Sequence, residues 1–121
     1  SVFERGFITY ANDAKIEMLG VDADLLAADG AVSEKVARAM AEGVLACAPV
    51  DLAVSITGVA GPGGGSADKP VGLVFIGSGR KSAAGPDVVV ERCEFGNVGR
   101  GVVRERTVAV ALERLTQLAR Q

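Results

Sequence analysis

Apolar and polar positions along the chain switch between a period near two and a period near 3.6, and each stretch predicts its own element. Residues 6–11 are β-rich and end at Asn12, which caps a short predicted helix over 13–19 closed by Gly20. Asp22 caps a second short helix over 23–28, stopped at Gly30. Ser33 caps a longer one, where Val36, Ala37, Met40, Ala41, Val44 and Leu45 recur at helical spacing until Ala48 and Pro49 end it. Residues 52–57 form an apolar strand that feeds directly into a glycine-rich loop over 58–65. A further strand is predicted over 71–76, a turn region over 77–86, and a strand over 88–95 whose Arg92 and Glu94 face solvent. The last helix spans 100–120, with Val108, Ala111, Leu112, Leu115, Leu118 and Ala119 as its apolar stripe. Four strands with helices before, between and after them predict one α/β layered domain.

Composition narrows the function. The chain has 121 residues, 49% of them apolar and 23% charged, which suits one folded domain over residues 1–121. Thirteen basic and fifteen acidic side chains leave a net charge of −2, without the basic excess of a duplex-binding surface. Residues 1–79 carry 5 basic and 10 acidic groups and residues 80–121 carry 8 and 5, so the C-terminal part is the more cationic. There is no histidine, which excludes Ser-His-Asp and Cys-His catalysis and any His-ligated zinc from this chain. Cys47 and Cys93 follow no CxxC spacing; reduced thiols in a cytoplasmic protein are expected, with a single disulfide as the alternative. No apolar run reaches the ~18 residues of a membrane span, so no membrane partner is expected. The chain opens on Ser1-Val2-Phe3 and runs straight into a strand-like segment, which reads as the middle of a longer polypeptide.

Three clusters offer chemistry. The loop Gly58-Val59-Ala60-Gly61-Pro62-Gly63-Gly64-Gly65 is almost without side chains, so its N–H groups can approach an anion closely. It matches neither GxGxxG nor the Walker pattern, and a plain flexible connection is the competing reading. Lys69 follows it, as a fixed positive charge or as a solvated lysine at a strand start. In the second cluster Tyr10, Asn12 and Lys15 surround a helix start. A lysine in a first turn is disfavoured as a cation, which suits a general base; a capping, packing and solvated trio is the alternative. In the third, Arg100 and Arg104 lie one turn apart at a helix start, as an anion grip or as a solvated face. The aspartates 22, 24 and 29 have no metal-ligand spacing.

Together the segments 3–15, 30–34, 55–66, Lys69-Pro70-Val71-Gly72, 95–100 and Val103-Arg104 resemble the C-terminal domain of the CinA competence/damage-inducible proteins. Stand-alone members of that family are nicotinamide mononucleotide deamidases of the PncC type. The resemblance runs in order along nearly the whole chain, and the stretch from the glycine loop to Lys-Pro-Val-Gly is long and specific.

The resemblance implies a three-layer α/β/α sandwich with a mixed sheet. It also implies hydrolysis of the carboxamide of nicotinamide mononucleotide, to nicotinate mononucleotide and ammonia, without metal or other cofactor. Lys15 matches the family's catalytic lysine and Tyr10 the tyrosine of the same motif. A serine hydroxyl would lose its proton to the lysine and attack the amide carbon. Substrate would be held by Asn12, Thr57, Gly58, Ala60, Gly61, Gly63, Gly64, Arg100 and Arg104. The family's nucleophile lies in an Ala-Glu-Ser-Cys-Thr-Gly-Gly motif upstream of Ser1, so these residues are expected to lack one β-α unit and to be inactive alone. Asn97 stands where many relatives carry an acid. A non-catalytic nucleotide-binding module, or a regulatory domain forming a homo-oligomer through its last helix, is the alternative.

Overall fold

A computed structural model of the chain describes residues 20–61 and 63–120. The strand expected over 6–11, the helix over 13–19, and the site candidates Tyr10, Asn12 and Lys15 lie outside the described residues. Helix α1 (Ala23–Asp29) begins where Asp22 accepts a hydrogen bond from Asp24 N, and it ends at Gly30 with φ +76°. Helix α2 (Glu34–Cys47) is capped by Ser33, whose Oγ accepts from Val36 N, and Arg38 pairs with Glu34 one turn apart at 2.9 Å. Strands β1 (Leu52–Gly58), β2 (Leu73–Ser82) and β3 (Gly85–Glu94) follow, then helix α3 (Arg100–Ala119). The sheet order is β1-β2-β3, antiparallel throughout; a parallel pairing, as a mixed sheet requires, does not occur among the described residues.

The sheet is covered on both faces. Ala37, Ala41 and Leu45 of α2 pack on one, against Ala53, Leu73, Phe75 and Val88. Val103 and Ala111 of α3 pack on the other, against Val74 and Ile76, while α1 closes over α2 through Val21, Leu26, Val36 and Met40. The result is the α/β/α layering expected from the sequence. Two buried hydroxyls bind the α2 layer to β1: Ser55 Oγ donates to the Ala37 carbonyl at 2.6 Å, and Thr57 Oγ1 to the Ala31 carbonyl at 2.8 Å.

Three expectations are corrected. Residues 77–86 are not a turn region: β2 continues to Ser82, and β3 already begins at Gly85 after a two-residue turn. Gly77 and Gly79 are glycine because neighbours come too close, not because the chain bends. A Cβ on Gly77 would lie 2.6 Å from Ser55 Oγ, and one on Gly79 would lie 2.5 Å from the Asp87 carbonyl oxygen. Residues 71–72, conversely, form a turn before the strand. The buried stripe of α3 is Val103, Thr107 and Ala111, whereas Val108 and Leu112 are 53% and 59% exposed. The helix meets the sheet along small side chains at i, i+4 and i+8, and buried Thr107 is satisfied by donating to the Val103 carbonyl at 2.7 Å.

Candidate functional site

Strand β1 delivers the chain to the glycine loop at its C-terminal end. The loop is closed at its base by Val59 N donating to the Leu73 carbonyl at 2.9 Å and Gly72 N donating to the Val59 carbonyl at 2.6 Å. Two glycines, Gly61 in the loop and Gly72 at its base, are required by space. Gly61 has φ +83° and a Cβ there would sit 2.5 Å from Val71 Cγ1; Gly72 has φ +91° and a Cβ there would enter the backbone of Gly96. That second contact, with Phe95 N donating to the Gly72 carbonyl at 2.9 Å, sets segment 95–99 beside the loop. Segment 95–99 leads directly into α3, whose first turn has no side-chain cap. The positive end of the helix dipole therefore lies beside the loop.

Between the loop and α3 is a groove of about 310 Å³, lined by Ile56, Gly58, Ala60, Val74, Val103, Arg104, Thr107 and Val108. Its walls are aliphatic, and among the described residues Arg104 is the only charged one in the lining. Such a site suits a flat apolar ring carrying an anionic group.

The structure brings together some of the residues singled out from sequence and separates others. Gly58, Ala60 and Arg104 line the groove. Arg100 reaches the loop through Nη1, which donates to the Gly61 carbonyl at 3.5 Å. Gly63 and Gly64 are exposed on the outer part of the loop. Thr57 is buried with its hydroxyl turned to the α2 layer, on the opposite face of the sheet from the groove. Lys69 is half-buried and donates through Nζ to the Asp29 carbonyl, so it is not a solvated lysine. The aliphatic wall was missed; Val103, Thr107 and Val108 share one side of α3 with Arg104, a signal readable from helical spacing around that arginine.

The hydroxyls of four described serines are committed to local structure. Ser33 caps α2, Ser55 holds Ala37, Ser66 accepts from Lys69 N, and Ser82 donates to the Gly85 carbonyl. Ser78 lines a separate groove beside Arg114 and Glu91, away from the glycine loop. Neither cysteine is in a disulfide, and burial together with the charge of Glu91 pushes the Cys93 thiol above its ordinary range. Among the described residues no helix is long and apolar enough to cross a membrane.

Comparison with known proteins adds to this geometry. A family profile described as the CinA C-terminal domain matches residues 1–119. The nicotinamide-nucleotide amidohydrolase PncC of Escherichia coli K12 is 48% identical over 115 residues, covering 95% of this chain and 67% of that protein. A putative competence-damage inducible protein of Caldicellulosiruptor bescii is 49% identical over 112 residues, which are 92% of this chain but only 26% of that protein. Among solved structures, a competence/damage inducible protein from Agrobacterium tumefaciens superposes with a TM-score of 0.87 at 48% identity, over 95% of this chain and 68% of that one. The chain thus spans between about a quarter and about two thirds of the length of these relatives.

Proposed function

Since the chain belongs to the CinA C-terminal domain family, we propose that it forms most of a cytoplasmic, metal-independent nicotinamide-nucleotide amidohydrolase acting in pyridine nucleotide salvage. The observation that carries the reading is the groove itself, with its backbone loop, aliphatic wall and the Arg104 guanidinium, in a chain 48% identical to PncC. The aliphatic wall offers a packing surface for the flat face of the pyridinium ring, and Arg104 with the loop amides suits the phosphate or the oxyanion.

In the proposed reaction an upstream serine attacks the carboxamide carbon while Lys15 takes its proton. The C–N bond then breaks, ammonia leaves carrying a proton, and water hydrolyses the acyl-enzyme to nicotinate mononucleotide. That four described serines hold structural hydrogen bonds supports placing the nucleophile elsewhere. Tyr10, of the same motif, is assigned with Lys15 to catalysis, and Asn12 to substrate binding.

The test is ammonia release from nicotinamide mononucleotide by the 121 residues and by a polypeptide extended upstream through the serine motif. Turnover is expected only in the extended form. There Lys15→Ala should lower kcat by about 10²–10⁴-fold, the span of general-base contributions, with the fold intact by circular dichroism. Silence from both folded proteins would sink the amidase reading and favour a nucleotide-binding module, which calorimetric titration with the same nucleotide detects.

A further inference from the structure

The outgoing limb of the glycine loop is fastened by one residue. Lys69 Nζ donates to the carbonyl oxygen of Asp29, the last residue of α1. Terminal carbonyls of a helix lack intrahelical partners, and a cation is favoured there by the dipole. The main chain of Lys69 also closes a turn. Ser66 N donates to the Lys69 carbonyl at 2.9 Å, and Lys69 N donates to Ser66 Oγ at 3.1 Å. Gly30 leaves room for the ammonium, since a Cβ there would lie 2.8 Å from Nζ.

The incoming limb is fastened to the same connection, because Thr57 Oγ1 donates to the carbonyl of Ala31. Both limbs thus hang from the α1–α2 link, two residues apart. Between the limbs, Val59 and Gly72 close the base and Arg100 donates to the Gly61 carbonyl, whereas Gly63, Gly64 and Gly65 are exposed and a Cβ on Gly63 would meet nothing within 4 Å. The outer part of the loop, residues 63–65, therefore relies on its anchors to fix the directions of its N–H groups.

We propose that Lys69 is a positioning residue, which orders the glycine loop for its ligand through the Asp29 carbonyl and does not itself touch that ligand. The kinetic arm of its test rests on the amidase reading; the exchange arm needs no substrate. In the complete polypeptide, Lys69→Met removes the donor at nearly constant length, and Lys69→Arg retains one. Hydrogen exchange of the ligand-free protein should speed by about tenfold or more at the amides of Ser66 and residue 69, whose bonds close the turn, in Lys69→Met, with β2 and α2 unchanged. Lys69→Arg should restore most of the protection. With nicotinamide mononucleotide as the probe, Lys69→Met should lose about tenfold or more of its turnover and Lys69→Arg should recover it. Lost turnover with unchanged loop exchange would make Lys69 a ligand contact and overturn the proposal. Faster exchange throughout the domain would make it a residue of global stability and overturn it equally. A loop-confined change in a protein that hydrolyses nothing would uphold the positioning role and remove the amidase reading instead.

Discussion

Gly77 stands where the backbone of α2 comes close to the sheet, and replacing it by alanine tests how that contact is built. The new Cβ would lie 2.6 Å from Ser55 Oγ and 3.0 Å from the Ala37 carbonyl oxygen, both buried. Neither neighbour is the loose end of a flexible chain: Ser55 is paired opposite Gly77 in the ladder, and Ala37 is helix backbone. Overpacking of this kind costs about 1–3 kcal/mol. Pushing Ser55 aside also breaks its hydrogen bond to Ala37, for about 0.5–1.5 kcal/mol more. The expected loss is about 2–4 kcal/mol, a large share of a stability near 5–15 kcal/mol. At roughly 3–6 °C per kcal/mol for a domain of this size, Tm should fall by about 6–24 °C. A double-mutant cycle in urea locates the cause. Ser55→Ala alone should cost about 1 kcal/mol, and Ser55→Ala with Gly77→Ala should cost less than the sum by about 1 kcal/mol, because the nearest clash is gone. A loss below about 0.5 kcal/mol for Gly77→Ala, or additivity within that margin, would refute the close approach.

Two further perturbations follow from the same kind of bookkeeping. Gly101 is exposed in the first turn of α3, and a Cβ there would meet nothing within 4 Å, so Gly101→Ala should stabilise by about 0.5–1 kcal/mol in the same denaturation assay. The Cys93 thiol is raised by burial, by the charge of Glu91 and by donating to Glu91 Oε2, while Arg114 acts in the other direction. The folded state therefore keeps its proton to higher pH than the unfolded chain, and the stability this gives is full below the ordinary thiol range and is lost as pH rises through the raised value. Alkylation by iodoacetamide at pH 8 should be slower at Cys93 than in an unfolded peptide containing the same cysteine, and Glu91→Gln should speed it.

How much of the fold could be read from sequence depended on whether a local signal had one meaning. Asp22, Ser33 and the α2 stripe did, because an N-cap followed by apolar residues at helical spacing fits little else, and α1 and α2 form within a residue of their expected bounds. Glycine did not. Gly77 and Gly79 resemble turn residues, yet they mark close approach inside β2, and only the neighbouring layer distinguishes the two uses. The α3 stripe failed for a related reason. Helical spacing points large aliphatics at the sheet, but the narrow contact selects Val103, Thr107 and Ala111, leaving Val108 at the groove and Leu112 exposed.

At the site, residue types were legible and their directions were not. A threonine after a strand, a lysine after a glycine loop and an arginine at a helix start all suggest ligand contacts. Here Thr57, Lys69 and Arg100 donate to the carbonyls of Ala31, Asp29 and Gly61. Their hydrogen bonds go to the framework that carries the loop, which leaves Arg104 as the charged side chain in the groove lining. On the proposed reading, a site built this way would draw a preference for anions from backbone N–H groups and one helix start, with Arg104 to orient the ligand. Backbone donors keep their direction only while the chain that bears them is held. Glycine, which gives the loop its close approach, also gives it the most freedom to lose. The proposed anchoring role answers that conflict: the donors flanking a loop nearly without side chains are spent on the backbone of Ala31, Asp29 and Gly61.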